Sequence, residues 1–112
     1  MAKVIALKDR KGDWIIAVLP ALLNIDLEAL AVASGTSRLR TVSERDTVRR
    51  FGPEPPVPFA DLAGVPVYVD HAFAGWSHIY FETDDHAGVV GIRVRDYVRL
   101  ARPSVGRFAR SA

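Results

Sequence analysis

The sequence predicts an α/β fold of the α+β kind: a mixed, mostly antiparallel, barrel-like six-stranded sheet with flanking short helices. Three observations lead there. The chain has 112 residues, 49% hydrophobic and 25% charged, the proportions of one globular domain spanning residues 1–112. Its first two apolar runs are nearly continuous rather than alternating, which suits strands covered on both faces. The order strand–strand–helix–strand–helix–loop–strand–strand–strand–helix lacks the strict βαβ alternation of a doubly wound sheet.

Each element has a local cause. Val4–Leu7 and Trp14–Leu19 are apolar runs about the polar, glycine-containing turn Asp9-Arg10-Lys11-Gly12-Asp13, and so read as a β-hairpin. Asp26 is a good N-cap for a helix over Leu27–Ser34, and Gly35 a good stop. Leu39–Val42 is a brief strand. Ser43, with Asp46 three residues on, opens a helix over Glu44–Phe51 that Gly52-Pro53 ends. Pro53, Pro55, Pro56 and Pro58 make residues 53–58 a stiff loop pinned to the core. Val65–Val69 is a strand ending at Asp70, which reads as a turn or helix cap. Ala72–Trp76 makes one helical turn. His78–Phe81 and Gly88–Val94 are the last two strands, and Asp96–Ala101 is a helix stopped by Arg102-Pro103. Residues 104–112 read as a further turn of helix or a frayed tail.

Composition excludes several functions. Without cysteine there is no disulfide scaffold, zinc ribbon or thiol nucleophile. The apolar runs fall far short of the ~18 residues that a membrane span needs, and residues 2–8 are too short and charged for a signal peptide. A cytoplasmic protein is the expectation. His71 and His78 are seven residues apart with no H-x-H or H-E-x-x-H pattern, so no metal is expected. No G-x-S-x-G elbow and no phosphate-cradling glycine pattern occurs, so no cofactor is expected.

The net charge of +2 conceals an asymmetry. Between Arg50 and Arg93 there is no Lys or Arg, while Glu54, Asp61, Asp70, Glu82, Asp84 and Asp85 make the stretch acidic. From Arg93 onward six arginines face only Asp96. Two readings stay open: solvated faces that attract one another, or an arginine-rich edge that meets phosphate. Trp14, Trp76, Tyr80, Phe81 and Tyr97 could stack bases. Their places in apolar strands or near helix ends point instead to core packing.

The string Pro58-Phe59-Ala60-Asp61-Leu62-Ala63-Gly64-Val65-Pro66-Val67-Tyr68-Val69-Asp70 adds a resemblance. It resembles the P-F-G-x-L-x-G-x-P-V-Y-V-D segment of the YbaK/aminoacyl-tRNA-synthetase-associated (prolyl-tRNA synthetase-associated) editing domain family. Ala2–Leu7 is similar to that family's A-K-T strand. Trp14–Pro20 followed by Ile25-Asp26-Leu27, Ile79–Phe81 followed by His86, and Arg95–Leu100 follow in the family's order. Such domains hydrolyse wrongly charged aminoacyl-tRNA, so the resemblance implies an aminoacyl-tRNA deacylase of the trans-editing type. The alternative is a catalytically degenerate member that holds a tRNA end, a small ligand or a protein without turnover.

The resemblance also implies a site. Lys3 matches the family lysine that faces the charged 3′ end of tRNA, where an ammonium would stabilise negative charge as water attacks. Pro58, Phe59 and Ala60, with Asp84 and His86 of the second loop, are the expected substrate-binding residues, and Arg99 and Arg102 the expected tRNA contacts. The chain departs from the family at four points. Lys3 is almost the first residue, where the family has an N-terminal helical segment, so a homodimer or partner is expected over that side. The loop before Pro58 has no glycine. Ala60 replaces the glycine of P-F-G, and the second loop reads Thr83-Asp84-Asp85-His86 in place of A-G-x-H.

Overall fold

The computed structural model describes residues 1–53, 56–82 and 87–111. The sheet at its centre has five strands, in the order Leu39–Thr41 (β4), Ala2–Asp9 (β1), Trp14–Pro20 (β2), Val67–Asp70 (β5) and Ser104–Gly106 (β8). β1 (Ala2–Asp9) and β2 (Trp14–Pro20) form the predicted hairpin, in register from Ala2↔Pro20 to Lys8↔Trp14. The Asp9 carboxylate closes the turn by accepting the main-chain amides of Lys11 (2.9 Å) and Asp13 (3.0 Å). β4 (Leu39–Thr41) pairs antiparallel with Leu7, Lys8 and Asp9 at one edge. β5 (Val67–Asp70) runs parallel to β2, and β8 (Ser104–Gly106) parallel to β5.

Two small ladders complete the strands. β3 (Asn24–Ile25) pairs with β9 (Ala109–Arg110), and β6 (His78–Glu82) with β7 (Val89–Arg93), both antiparallel. Four of the six pairings are antiparallel, so the predicted mixed, mostly antiparallel α/β class holds. The predicted barrel and six-strand count do not. The described sheet is open, because the β6–β7 hairpin pairs within itself and meets β1 only by packing. At the far edge the three-residue β8 gives way to β9, which turns off to β3.

The helices follow their predicted caps. α1 (Leu27–Ser34) starts where Asp26 accepts the Ala29 amide and ends at left-handed Gly35. α2 (Glu44–Phe51) starts where Ser43 accepts the Asp46 amide. α3 (Ala60–Ala63) is a single turn in a stretch expected to be loop. A 3₁₀ turn at His71–Gly75 is capped by Asp70. α4 spans Val94–Ala101, so Val94 belongs to the helix rather than to the preceding strand.

The tail corrects a second expectation. Residues 104–110 are not helical or frayed; they supply β8 and β9. Ser104-Val105-Gly106 carries no helical pattern. Three tertiary amide partners decide its state: Asp26 donates to the Phe108 carbonyl (2.7 Å), and Phe108 and Ala109 donate to the Asp70 carboxylate (2.8 Å each).

Both faces of the sheet are covered, which explains the unbroken apolar run of β2. Ile16, Val18, Val67 and Val69 pack on one side against Phe73, Ile79 and Tyr97. Leu7, Ile15, Ala17 and Leu19 pack on the other against Leu30, Leu39 and Phe108. The first layer carries the P-F motif.

Candidate functional site

Pro58 fixes its own φ and leads into Phe59, whose extended backbone (φ −127°, ψ 116°) caps α3. The Phe59 carbonyl accepts the amides of Leu62 (3.1 Å) and Ala63 (2.9 Å), and the turn closes at left-handed Gly64. Ala60, where the resembled motif has glycine, is the first residue of this helical turn, and ordinary helical backbone suits alanine. Phe59 and Ala60 both pack onto the α4-side core.

Tyr97 pins this motif from below. Its hydroxyl donates to the Pro58 carbonyl at 2.7 Å, and its ring meets Phe59 edge-on at 5.6 Å. Burial pushes the Tyr97 hydroxyl far above the usual tyrosine range, so it stays a neutral donor. Phe81, at the end of β6, packs on the same ring at 5.8 Å. Two separate stretches of chain, Pro58–Phe59 and the end of β6, therefore converge on one tyrosine of α4. Asp84 and His86 follow directly on β6 but lie outside the described residues.

Lys3 sits on the neighbouring strand. It is half-buried and in register with Leu19. Ala2 and Val4 pack into the Tyr97 core, so alternation places Lys3 on the opposite face, in line with Ile5 and Leu7. Of the expected set, the fold thus brings Pro58, Phe59 and Ala60 together beside the end of β6. Lys3 stands at the start of β1, a part of the strand that β4, paired at Leu7–Asp9, leaves uncovered.

Arg99 and Arg102 lie on the exposed side of α4. Arg99 makes a solvent-exposed ion pair with Asp96 (3.4 Å). Arg102 ends the helix in the left-handed region (φ 50°). With Arg95 they follow i, i+4, i+7 spacing and form one ridge.

Asp70 is a cap, as expected, through the Ala72 amide (2.8 Å); its second role, holding the tail, lay beyond the sequence pattern. The positioning role of Tyr97 was also missed. The available signal was Val94, Tyr97 and Ala101 on one helix face, which places a hydroxyl inside the core, where it needs a partner. Among the described residues no three His, Asp or Glu side chains come together to hold a metal ion, and no helix is long and apolar enough to cross a membrane. A described cleft of about 500 Å³ is lined by Asp9, Trp14, Thr36, Arg50 and Tyr68, and by none of the expected site residues.

An open mixed sheet with a proline–phenylalanine turn held on one face defines a small α/β domain. Residues 1–100 match the aminoacyl-tRNA editing domain family, and the chain belongs to it. No curated protein matches the chain. Solved structures share the fold at low identity. A hypothetical protein aligns at TM-score 0.84 and 17% identity, covering 98% of this chain and 74% of its own. A proposed trans-editing enzyme for prolyl-tRNA synthetase aligns at TM-score 0.78 and 14% identity, covering 98% and 70%. A proposed signal transduction protein from Marinobacter aquaeolei VT8 aligns at TM-score 0.81 and 24% identity, covering 96% of this chain but only 24% of that longer one.

Proposed function

We propose that this domain is an aminoacyl-tRNA deacylase that hydrolyses the ester of mischarged tRNA in trans. The observation that carries the reading is the family match over residues 1–100, together with the Pro58–Ala60 turn held on Tyr97 at the end of β6. The aminoacyl group would lie against Phe59 and Ala60; Asp84 and His86, which complete the expected set, lie outside the described residues. Lys3 would reach past the part of β1 that β4 leaves unpaired, its ammonium stabilising the oxyanion as water attacks the ester carbon. The bond from that carbon to the ribose oxygen then breaks. One water proton passes to the ribose oxygen and the other to solvent, and the amino acid leaves as a carboxylate. Arg99 and Arg102 would neutralise backbone phosphates. The similarity to a proposed prolyl-tRNA synthetase trans-editing enzyme supports this class of substrate.

A second reading, binding without turnover, is favoured by the loop before Pro58. Pro53, Pro55 and Pro56 have no N–H to offer an aminoacyl carbonyl. One experiment separates the two. Purified protein and the Lys3→Ala variant are incubated with a broad panel of mischarged tRNAs. Hydrolysis of at least one by the native chain, reduced at least tenfold in the variant, supports the deacylase. No hydrolysis of any tRNA eliminates it.

A further inference from the structure

Tyr80 is an aromatic side chain that the core does not take. In β6, Ile79 is fully buried and Phe81 packs on Tyr97, while Tyr80 points the other way and is 45% exposed. Directly across the ladder stands Gly91. A side chain there would begin 2.6 Å from the Tyr80 ring, so one edge of the ring occupies the space that glycine leaves. His78 stacks alongside it, with ring centroids 6.0 Å apart and planes 22° apart. The His78 ring is held by a hydrogen bond between Nδ1 and the Ser77 hydroxyl (3.0 Å).

Basic charge flanks this surface at its His78 end, and acidic Glu82 at the other. Arg93 is directly opposite His78 and therefore on the same face of the hairpin. The chain then enters α4, whose exposed ridge carries Arg95, Arg99 and Arg102. Glu82 stands at the far end of the ladder, opposite Val89. The surface thus has a direction, with rings in the middle and arginines at the α4 end. Single-stranded nucleic acid presents the complement: flat bases joined by phosphates.

We propose that the outer face of β6–β7 is a base-stacking platform for the unpaired 3′ nucleotides of tRNA. Tyr80 and His78 take the bases, and Arg93 with the α4 ridge takes the phosphates. The choice of tRNA among RNAs rests on the deacylase reading; the stacking surface does not. It lies on β6, whose inward-facing Phe81 packs on the tyrosine that holds the Pro58–Ala60 turn, so a strand of RNA held here lies close to the proposed site.

The test uses an uncharged, fluorescently labelled single-stranded RNA ending in C-C-A, and the same RNA in a blunt duplex. Affinity is read by anisotropy over a salt series, with circular dichroism as the check on folding. The native chain should prefer the single strand. Tyr80→Phe should bind within twofold of native, and Tyr80→Leu about tenfold or more weaker with an unchanged salt slope. Gly91→Ala, which drives the ring off the ladder without altering charge, should weaken binding as Tyr80→Leu does. Arg93→Gln should flatten the salt slope by about 0.7. Native-like binding by folded Tyr80→Leu, no binding by the native chain, or a preference for the duplex would each overturn the platform. Hydrolysis of mischarged tRNA by a native chain that ignores the oligonucleotide would overturn the platform alone. RNA binding without hydrolysis would remove only the deacylase.

Discussion

The carboxylate of Asp70, at the end of β5, accepts the main-chain amide of Phe108 at 2.8 Å across 38 residues of chain. The same oxygen takes the Ala109 amide, and its partner oxygen the Ala72 amide. One buried side chain thus starts the 3₁₀ turn and fastens the tail, which lets Phe108 close the α1-side core. Asp70→Ala would leave three amides without their acceptor. The expected cost is about 3 kcal/mol, since each unmade buried bond costs roughly 1–3 kcal/mol. Denaturant unfolding measures it. Hydrogen exchange should quicken first at residues 104–110 while β1 stays protected. Uniform loosening of the whole chain would contradict the latch.

Tyr97 and Pro58 are joined in the same way, by one bond across 39 residues. Tyr97→Phe keeps the ring against Phe59 and Phe81 but leaves the Pro58 carbonyl unpaired. We expect a loss of about 1–2 kcal/mol in stability. If the turn binds substrate, KM for a mischarged tRNA should rise more than kcat falls, because the loop is freed while Lys3 is untouched. An unchanged KM with only a lower melting temperature would reduce Tyr97 to a packing residue.

Buried Tyr97 also sets an alkaline limit. Its hydroxyl titrates near 10 in the unfolded chain and well above that in the fold, where burial resists the phenolate. Below pH 10 both states hold the proton, and the contribution is complete. Above it the unfolded chain loses the proton first, so stability falls with rising pH by up to about 1.4 kcal/mol per unit. Unfolding midpoints of native and Tyr97→Phe protein between pH 9 and pH 11.5 should converge as this term disappears. Parallel curves would show that Tyr97 does not titrate differently in the two states.

What could be read from the sequence was local. Asp26, Ser43 and Gly35 each bond or turn within a few residues of themselves, and the caps they predict are the caps observed. The β1–β2 hairpin was legible for the same reason, since Asp9 closes it through Lys11 and Asp13. Residues 104–110 were not legible, because their strands exist through partners far along the chain, at Asp70, Tyr68 and Asn24. The core assignment of the aromatics divided on the same line. Tyr97 is buried and Phe81 half-buried against it, but Trp76 and Tyr80 are exposed; strand alternation turns Tyr80 outward, and Gly91 gives it room. The Pro58–Ala60 motif was visible as a string, and the tyrosine that holds it was not.

Arg102 offers a way to separate stability from RNA contact. It ends α4 with φ at 50°, the only positive φ among the described non-glycine residues, and its amide donates to the Val98 carbonyl (3.1 Å). An L-residue pays roughly 1–2 kcal/mol in this region, which glycine does not. Arg102→Gly should therefore raise stability by about 1 kcal/mol, less the greater freedom that glycine gives the unfolded chain. It should also remove one phosphate contact if the α4 ridge meets tRNA, lowering the salt slope of tRNA binding by about 0.7–0.9. Arg99→Gln should lower that slope by a similar amount without the gain in stability, since its pair with Asp96 is solvent-exposed. Thermal unfolding and a salt titration of tRNA binding measure the two effects separately. A more stable Arg102→Gly protein with an unaltered salt slope would remove Arg102 from the tRNA surface while leaving its role as a strained helix cap intact.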